Sequence, residues 1–246
     1  MTTKKEIFEC DRTNNAFEFL LFSYFGIVSD VEEPVESDDI LEKLIERAYR
    51  DAASHVLSVN DDVKEDKKQE AIETIKEAID NLKEIESVVK GDKTGHDNYD
   101  KWHEQLCKIL VEMYDGHCKD GYTFTYGIAQ KWVNMTMKYV YVVYYIAESC
   151  EFLIDFKEEF DNLIFNHRRS FHVPIDSYIY KAVKDDLGIK PLKSSWSKIP
   201  DYATYIDYQE SIRKQDIFDY SYERICGYTP IDWEGKAWIE IAKNTK

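Results

Sequence analysis

The sequence is short of the residues that make tight turns, since its 246 residues include only nine glycines and five prolines. A β-sandwich or barrel needs many such turns, so this shortage argues against a turn-rich β architecture. By contrast, 43% of the residues are hydrophobic and 14% are aromatic, which argues against a disordered chain. The composition therefore predicts an all-α protein with one large core or two smaller ones.

Uninterrupted apolar runs are also short, and none reaches the length that a membrane span needs. The first ten residues, MTTKKEIFEC, lack the apolar core of a signal peptide. No two of the five cysteines form a CxxC pair, so the sequence indicates neither a disulfide framework nor an iron–sulfur loop. We therefore expect a cytoplasmic protein with reduced thiols, no membrane contact and no cofactor.

Positive charge is scarce, because 32 Lys and Arg face 48 Asp and Glu, a net charge of −16. Affinity for DNA comes largely from basic side chains that neutralise phosphates, so this balance by itself argues against a nucleic-acid partner. The acidic excess is uneven, however, with −13 in residues 1–100 and −3 in residues 101–246. Residues 162–200, which include Arg168 and Arg169, carry a net +4. Such a segment is either a solvated face or a contact for an anionic partner.

Helical periodicity is clear in the first half of the chain. Apolar residues recur every three or four positions in residues 37–57 and again in residues 67–91, with charged residues between them. The run GDKTGHDNYD (91–100) is polar and contains glycine, which is typical of a linker. The pattern predicts an acidic N-terminal helical region, 1–95, and a second helical region, 96–246, or one continuous unit that contains both.

The second half contains a long apolar stretch, GIAQKWVNMTMKYVYVVYYIAES (127–149), which predicts one buried central helix. Residues 139–145 have the composition of a strand, but the continuous apolar run that precedes them favours the helix. The opening letters, GIAQK, place Lys131 about one turn into this helix. The element VPID (173–176) places Asp176 at the N-cap position of a later helix.

These two motifs together resemble the helix-hairpin-helix superfamily of endonuclease III and 8-oxoguanine DNA glycosylase, in which Gly-hydrophobic-Gly-x-Lys opens a helix and Val-Pro-Val-Asp follows. The resemblance implies a helix-hairpin-helix fold for the C-terminal region, DNA as the partner, and a DNA glycosylase with or without AP-lyase cleavage. It places Lys131 as the nucleophile and Asp176 as the essential aspartate. Candidate contacts to the substrate are Gly127, Gln130, Trp132, His172, Arg168 and Arg169.

The sequence departs from the family pattern in several places. Thr125 and Tyr126 stand where Leu-Pro precedes the first glycine of the hairpin, and Ala129 replaces its second glycine. Lys131 and Asp176 are 45 residues apart, longer than usual, and we interpret the excess as an inserted helix and loop. The cysteine cluster that holds an iron–sulfur centre in some relatives is absent, so none is expected.

The chemistry of base excision needs these residue types. A neutral lysine amine attacks the sugar C1′, and the Schiff base that results permits strand cleavage by elimination. A nearby carboxylate stabilises the positive charge that develops at the sugar as the base departs. Because a base inside a duplex is out of reach, the enzyme must flip it into a pocket that offers stacking surfaces.

Other interpretations of the same residues stay open. A lysine near a helix start can extend to solvent, and an aspartate at a helix start is a common cap. The chain then is a noncatalytic helical module whose acidic N-terminal half binds a protein partner. His103 and Cys107, four residues apart, with His117 and Cys118 nearby, also allow a zinc site. The many carboxylates allow a metal-dependent nuclease, although they show no recognisable ligand spacing.

Overall fold

A computed structural model describes residues 16–28, 36–85, 96–219 and 228–244, and helices are the regular elements within these ranges. No β-strand occurs in them apart from one isolated bridge between Val59 and Cys118. The expected all-α class is therefore confirmed for the described part of the chain. The helices are α1 (16–25 among the described residues), α2 (Ser37–Ala53), α3 (Lys64–Lys83), α4 (Asp97–Met113), α5 (Tyr126–Ala147), α6 (Ile154–His167), α7 (Ser177–Leu187), α8 (Tyr202–Arg213) and α9 (Pro230–Lys243).

The helices α2 and α3 follow the predicted periodicity. Their apolar positions are buried, with Leu44 and Ile45 of α2 and Ile75 of α3 all at 0% exposure, while charged residues occupy the other faces. The apolar pattern predicts that α3 continues to residue 91, but the helix ends at Lys83, within the described residues. Residues 86–95, which hold half of the predicted linker 91–100, lie outside the described part of the chain. The prediction is wrong for residues 97–100 of the other half, because α4 begins at Asp97.

The central element is α5, as the apolar run predicts, and the strand considered for residues 139–145 is wrong because these residues continue the helix. Thr125 caps its start by accepting a hydrogen bond from the amide of Ile128. Fifteen of its 22 residues are buried, because α2, α4 and α6 pack around it. A helix that is apolar on nearly every side is stable only in such a surrounded position.

The two regions predicted on either side of residue 95 share one core. The indole nitrogen of Trp132 in α5 donates a hydrogen bond to the carbonyl of Ile45 in α2, at 3.0 Å. The ring of Tyr49, one turn further along α2, packs against the same indole. The N-terminal helices are therefore part of the framework that supports α5.

The remaining segments bring three helix starts against α5. The stretch between α5 and α7, interpreted as an inserted helix and loop, contains α6. Asp176 is the N-cap of α7, as predicted, and Asp201 is the N-cap of α8. The last helix, α9, begins with Pro230 behind a capping box formed by Thr229 and Asp232. No described helix is long and apolar enough to cross a membrane.

Candidate functional site

Lys131 and Asp176 meet in the folded chain. The Nζ atom of Lys131 lies 3.4 Å from Oδ2 of Asp176, although the two residues come from different helices. Their side chains are 11% and 14% exposed, so the pair is largely but not fully withdrawn from water. Two groups that are 45 residues apart in sequence thus form one partly buried ion pair.

Asp176 holds a fixed orientation because its two carboxylate oxygens have different partners. Oδ1 accepts hydrogen bonds from the backbone amides of Tyr178 and Ile179, both at 2.9 Å, and so caps α7. Oδ2 is left to face Lys131. The cap therefore places one oxygen of a negative charge beside the lysine, with little freedom to rotate.

Two glutamines hold the extended segment that leads to Asp176. Gln130 of α5 donates to the carbonyl of Ile175 at 3.1 Å and accepts from its amide at 3.3 Å. Gln209 of α8 contacts Val173 in the same way, at 2.7 and 3.2 Å. Each side chain completes the hydrogen bonds of a buried backbone unit that has no strand partner. The paired amides fix the distance between α5 and Asp176.

A cleft of about 480 Å³ opens beside the ion pair. Its walls come from α1, α2, α5 and α9, together with the N-cap of α7. Three cationic side chains and three carboxylates line it, so the cleft has no net formal charge. The lining residues are Tyr24, Arg47, Asp51, Lys131, Met135, Lys138, Tyr139, Asp176, Glu234 and Trp238.

A second ion pair lines the same cleft. Lys138, two turns along α5 from Lys131, lies 2.6 Å from the carboxylate of Glu234 in α9. Glu234 is 1% exposed. Burial raises the pKa of the Glu234 carboxyl; Lys138 opposes this effect, and the negative charge of Asp176 adds to it.

The N-terminal helices α1 and α2 supply further lining of the cleft. Arg47 and Asp51 form an ion pair at 3.3 Å on α2, and the hydroxyl of Tyr139 donates to Asp51. The guanidinium carbon of Arg47 lies 4.0 Å from the ring centre of Tyr24 in α1. The hydroxyl of Tyr24 is hydrogen-bonded to the hydroxyl of Tyr139. The predicted acidic region thus contributes directly to the cleft, which the sequence did not indicate.

The start of α5 is covered by the chain itself. The amide of Gly127 donates to the carbonyl of Ile199 at 3.0 Å, and the hydroxyl of Thr125 donates to the carbonyl of Ser197 at 2.7 Å. A Cβ atom on Gly127 would lie 1.9 Å from the carbonyl oxygen of Trp196. Gly127 is therefore needed for close backbone packing, and its amide does not face a ligand. Lys131 in turn lies 4.4 Å above the ring of Trp196.

The other candidate contact residues lie away from the cleft. Trp132, Gln130 and His172 are buried in the core and are not among the residues that line the cleft. Arg168 and Arg169 line a separate pocket, where Arg168 donates to the hydroxyl of Tyr145 at 2.9 Å. Of the residues predicted from the sequence, Lys131 and Asp176 are the ones that line the cleft.

His172 has partners that the sequence did not reveal. Its Nδ1 atom lies 2.6 Å from the hydroxyl of Tyr205, and its Nε2 atom lies 2.8 Å from the carboxylate of Asp100. The guanidinium of Arg213 donates two hydrogen bonds to the same carboxylate, both at 2.8 Å. Burial and the charge of Arg213 lower the pKa of His172 to about 4. Burial alone would raise the pKa of Asp100, but the bonds from His172 and Arg213 hold it well below its ordinary value. This network joins α4, α8 and the segment before Asp176.

Metal binding finds no support among the described residues, because they contain no cluster of three or more potential metal ligands. His103 and Cys107, considered above for zinc, are both fully buried, with the sulfur 3.7 Å from the imidazole. Cys107, Cys118 and Cys150 are free thiols.

Comparison with protein-family models, with curated proteins and with solved structures gave no significant match.

Proposed function

We propose that the chain is a DNA glycosylase that excises a damaged or modified base, with Lys131 as nucleophile and Asp176 as its electrostatic partner. One observation carries the proposal: Lys131 Nζ and Asp176 Oδ2 lie 3.4 Å apart on the wall of an open cleft. The pair also speaks against two simpler interpretations taken singly, since a cap needs no lysine partner and a solvated lysine would be more exposed.

The arrangement suits the two charges that base excision creates. As the bond from base to sugar breaks, positive charge develops at the sugar, and a fixed carboxylate stabilises it without reorganising. Asp176 is fixed in this way by the two amides of α7. Lys131 lies on the same wall and must first give up the proton of its ammonium, which the departing base takes. The neutral amine then attacks C1′ as the bond to the base breaks, and opening of the C1′–O4′ bond leaves the imine. The imine then allows strand cleavage to follow base release.

The size and lining of the cleft fit a single flipped nucleotide. Its volume, about 480 Å³, lies within the ordinary range for small-ligand sites. Tyr24, Tyr139 and Trp238 supply aromatic surface on its walls, which is what an extruded base needs for stacking. Arg47, Asp51 and Glu234 supply polar groups within the same lining.

The cleft itself offers no net positive charge, so the DNA backbone must be held beside it. The segment after Asp176 supplies exposed basic side chains, and the ring of Trp196 within it lies against Lys131. Basic groups that neutralise phosphates supply the nonspecific part of DNA affinity. The exposed lysines of this segment are Lys181, Lys184, Lys190, Lys193 and Lys198.

A second candidate function is a noncatalytic protein-binding module. The observation that favours it is the outer face of α1, where Phe19, Leu20 and Phe22 are 68%, 56% and 58% exposed. Exposed apolar surface of this kind is often an interaction site. It does not account for the buried ion pairs of the cleft, and we therefore place it second.

The experiment that tests the proposal is borohydride trapping on duplex oligonucleotides that carry an abasic site or one of several damaged or modified bases. We expect a covalent adduct with the wild-type protein and none with Lys131→Ala. Lys108→Ala, at an exposed lysine of α4, is the matched control and should trap as the wild type does. Absence of an adduct and of base release on every oligonucleotide would favour the protein-binding module.

A further inference from the structure

The cleft contains two lysines on one face of α5, and each faces a carboxylate from another helix. Lys131, Met135 and Lys138 are spaced four and three residues apart, which aligns them along the helix. Lys131 faces Asp176 at the start of α7, and Lys138 faces Glu234 in the second turn of α9. The proposed function uses the first pair and leaves the second without a role.

The two carboxylates are held differently. Asp176 has both oxygens engaged, one by two backbone amides and the other by Lys131. Glu234 is almost fully buried and is paired with Lys138 at 2.6 Å. Its helix is fixed by the capping box at Thr229 and by packing against α7, where the rings of Tyr178 and Trp238 meet at 5.3 Å. The cleft thus holds a rigid carboxylate that does not orient Lys131.

We propose that Glu234 is the proton acceptor in the elimination that follows imine formation on Lys131, an inference that rests on the proposed function. The carboxylate takes the proton from C2′ of the opened sugar, and the electron pair of that bond forms C1′=C2′ while the imine electrons move to nitrogen. The nitrogen pair then re-forms the imine, C2′=C3′ forms, and the C3′–O bond breaks to release the 3′ phosphate. The proton stays on Glu234 until water removes it.

The surroundings of Glu234 suit a proton acceptor. Lys138 lies 2.6 Å from its carboxylate, and the charges of Lys131 from α5 and Asp176 from the start of α7, which line the same cleft, also act on it. Burial raises the pKa of its carboxyl above the ordinary value, and a carboxylate with a raised pKa is a stronger base. The ammonium of Lys138 acts in the opposite direction and lowers that pKa. The pair therefore sets the pH range over which the carboxylate can act.

The test uses the full chain and a duplex oligonucleotide that carries one abasic site, with two readouts across a range of pH. Borohydride trapping measures imine formation, and strand cleavage measures elimination. In Glu234→Gln we expect trapping to persist and cleavage to slow by roughly 10²–10⁴-fold. In Lys138→Met we expect the rising limb of the cleavage profile to move to higher pH, because removal of the ammonium raises the pKa of Glu234. Glu240→Gln, at an exposed position of α9, is the matched control and should match the wild type in both readouts.

The outcomes separate the two proposals. If the wild-type protein forms no adduct, the imine mechanism and the role of Glu234 are both contradicted. A normal adduct with unchanged cleavage in Glu234→Gln would overturn the role of Glu234 alone. Loss of both adduct and cleavage in a Glu234→Gln protein with wild-type circular dichroism and unfolding midpoint would place Glu234 in imine formation and so also overturn the elimination role.

Discussion

Asp176 directs one carboxylate oxygen to the amides that open its own helix and the other to the ammonium of Lys131, 3.4 Å away. The carboxylate thus has a structural partner and a second partner on the cleft wall. Substitutions that retain the first and remove the second separate the two roles.

The pair of variants Asp176→Asn and Asp176→Ala makes this separation. Asparagine caps helices about as well as aspartate, so Asp176→Asn should keep the cap and lose only what the ion pair with Lys131 contributes to the free energy of unfolding. Asp176→Ala also loses the cap and should lower the free energy of unfolding by about 1 kcal/mol more than Asp176→Asn does. Both should slow base release by on the order of 10²-fold or more, because the fixed negative charge is gone. Urea unfolding and single-turnover excision measure the two effects. Equal excision by Asp176→Asn and the wild type would leave Asp176 as a cap only.

Gly127 should not tolerate a side chain. Gly127→Ala places a Cβ atom against the carbonyl of Trp196, and the forced shift should destabilise the protein by about 1–3 kcal/mol. Gly235→Ala is the matched control, since its Cβ would meet nothing within 4 Å. That helical substitution should stabilise by about 0.5–1 kcal/mol. Thermal or urea unfolding of the two variants distinguishes them by the sign of the change, and a neutral Gly127→Ala would mean that the segment around Trp196 does not pack on α5.

Gln130 and Gln209 should differ in their effect on excision. Either alanine variant leaves one buried backbone amide and one carbonyl without their partner and should cost about 1–3 kcal/mol of stability. Gln130 contacts Ile175, the neighbour of Asp176, whereas Gln209 contacts Val173. Because a displacement of about 1 Å at a reacting group can cost 10²-fold in rate, Gln130→Ala should slow excision more than Gln209→Ala does. Equal rates in two equally stable variants would contradict this role.

The protein should lose stability as the pH falls from about 6.5 to about 4. Over this window His172 takes up a proton in the unfolded chain but stays neutral in the folded one, because burial and Arg213 lower its folded pKa to about 4. The unfolded state therefore binds more protons, and stability falls with pH. The loss due to His172 should be on the order of 3 kcal/mol at pH 4, since each pH unit between the unfolded and folded pKa values costs about 1.4 kcal/mol. Urea unfolding at several pH values, with His172→Gln for comparison, should show a steeper fall in the wild type.

Local patterns in the sequence predict much of the fold. The apolar spacing of α2 and the predominantly apolar stretch of α5 predict helices with those faces buried. Asp176 after Val-Pro-Ile is a cap by its own chemistry. No local pattern sets the distance between residues that are 45 positions apart, such as Lys131 and Asp176. Their proximity is expected only because the GIAQK and VPID motifs together resemble a known family pattern.

The remaining parts of the cleft depend on contacts between distant helices. Glu234 and Arg47 have nothing in their own neighbourhoods to distinguish them from other charged residues on amphipathic helices. They enter the cleft because α9 packs on α7 and α2 packs on α5. The burial of His172 is similar, since its partners Asp100 and Tyr205 lie on α4 and α8. Tertiary packing brings these groups together, and no residue spacing in the sequence predicts it.

The most direct test of the central claim is to map the trapped adduct to a residue. Borohydride reduction on abasic DNA, followed by proteolysis and mass spectrometry, identifies which lysine carries the sugar remnant. The cleft offers two, Lys131 beside Asp176 and Lys138 beside Glu234. The account predicts that the remnant is on Lys131. A remnant on Lys138, on a lysine outside the cleft, or on none would contradict it.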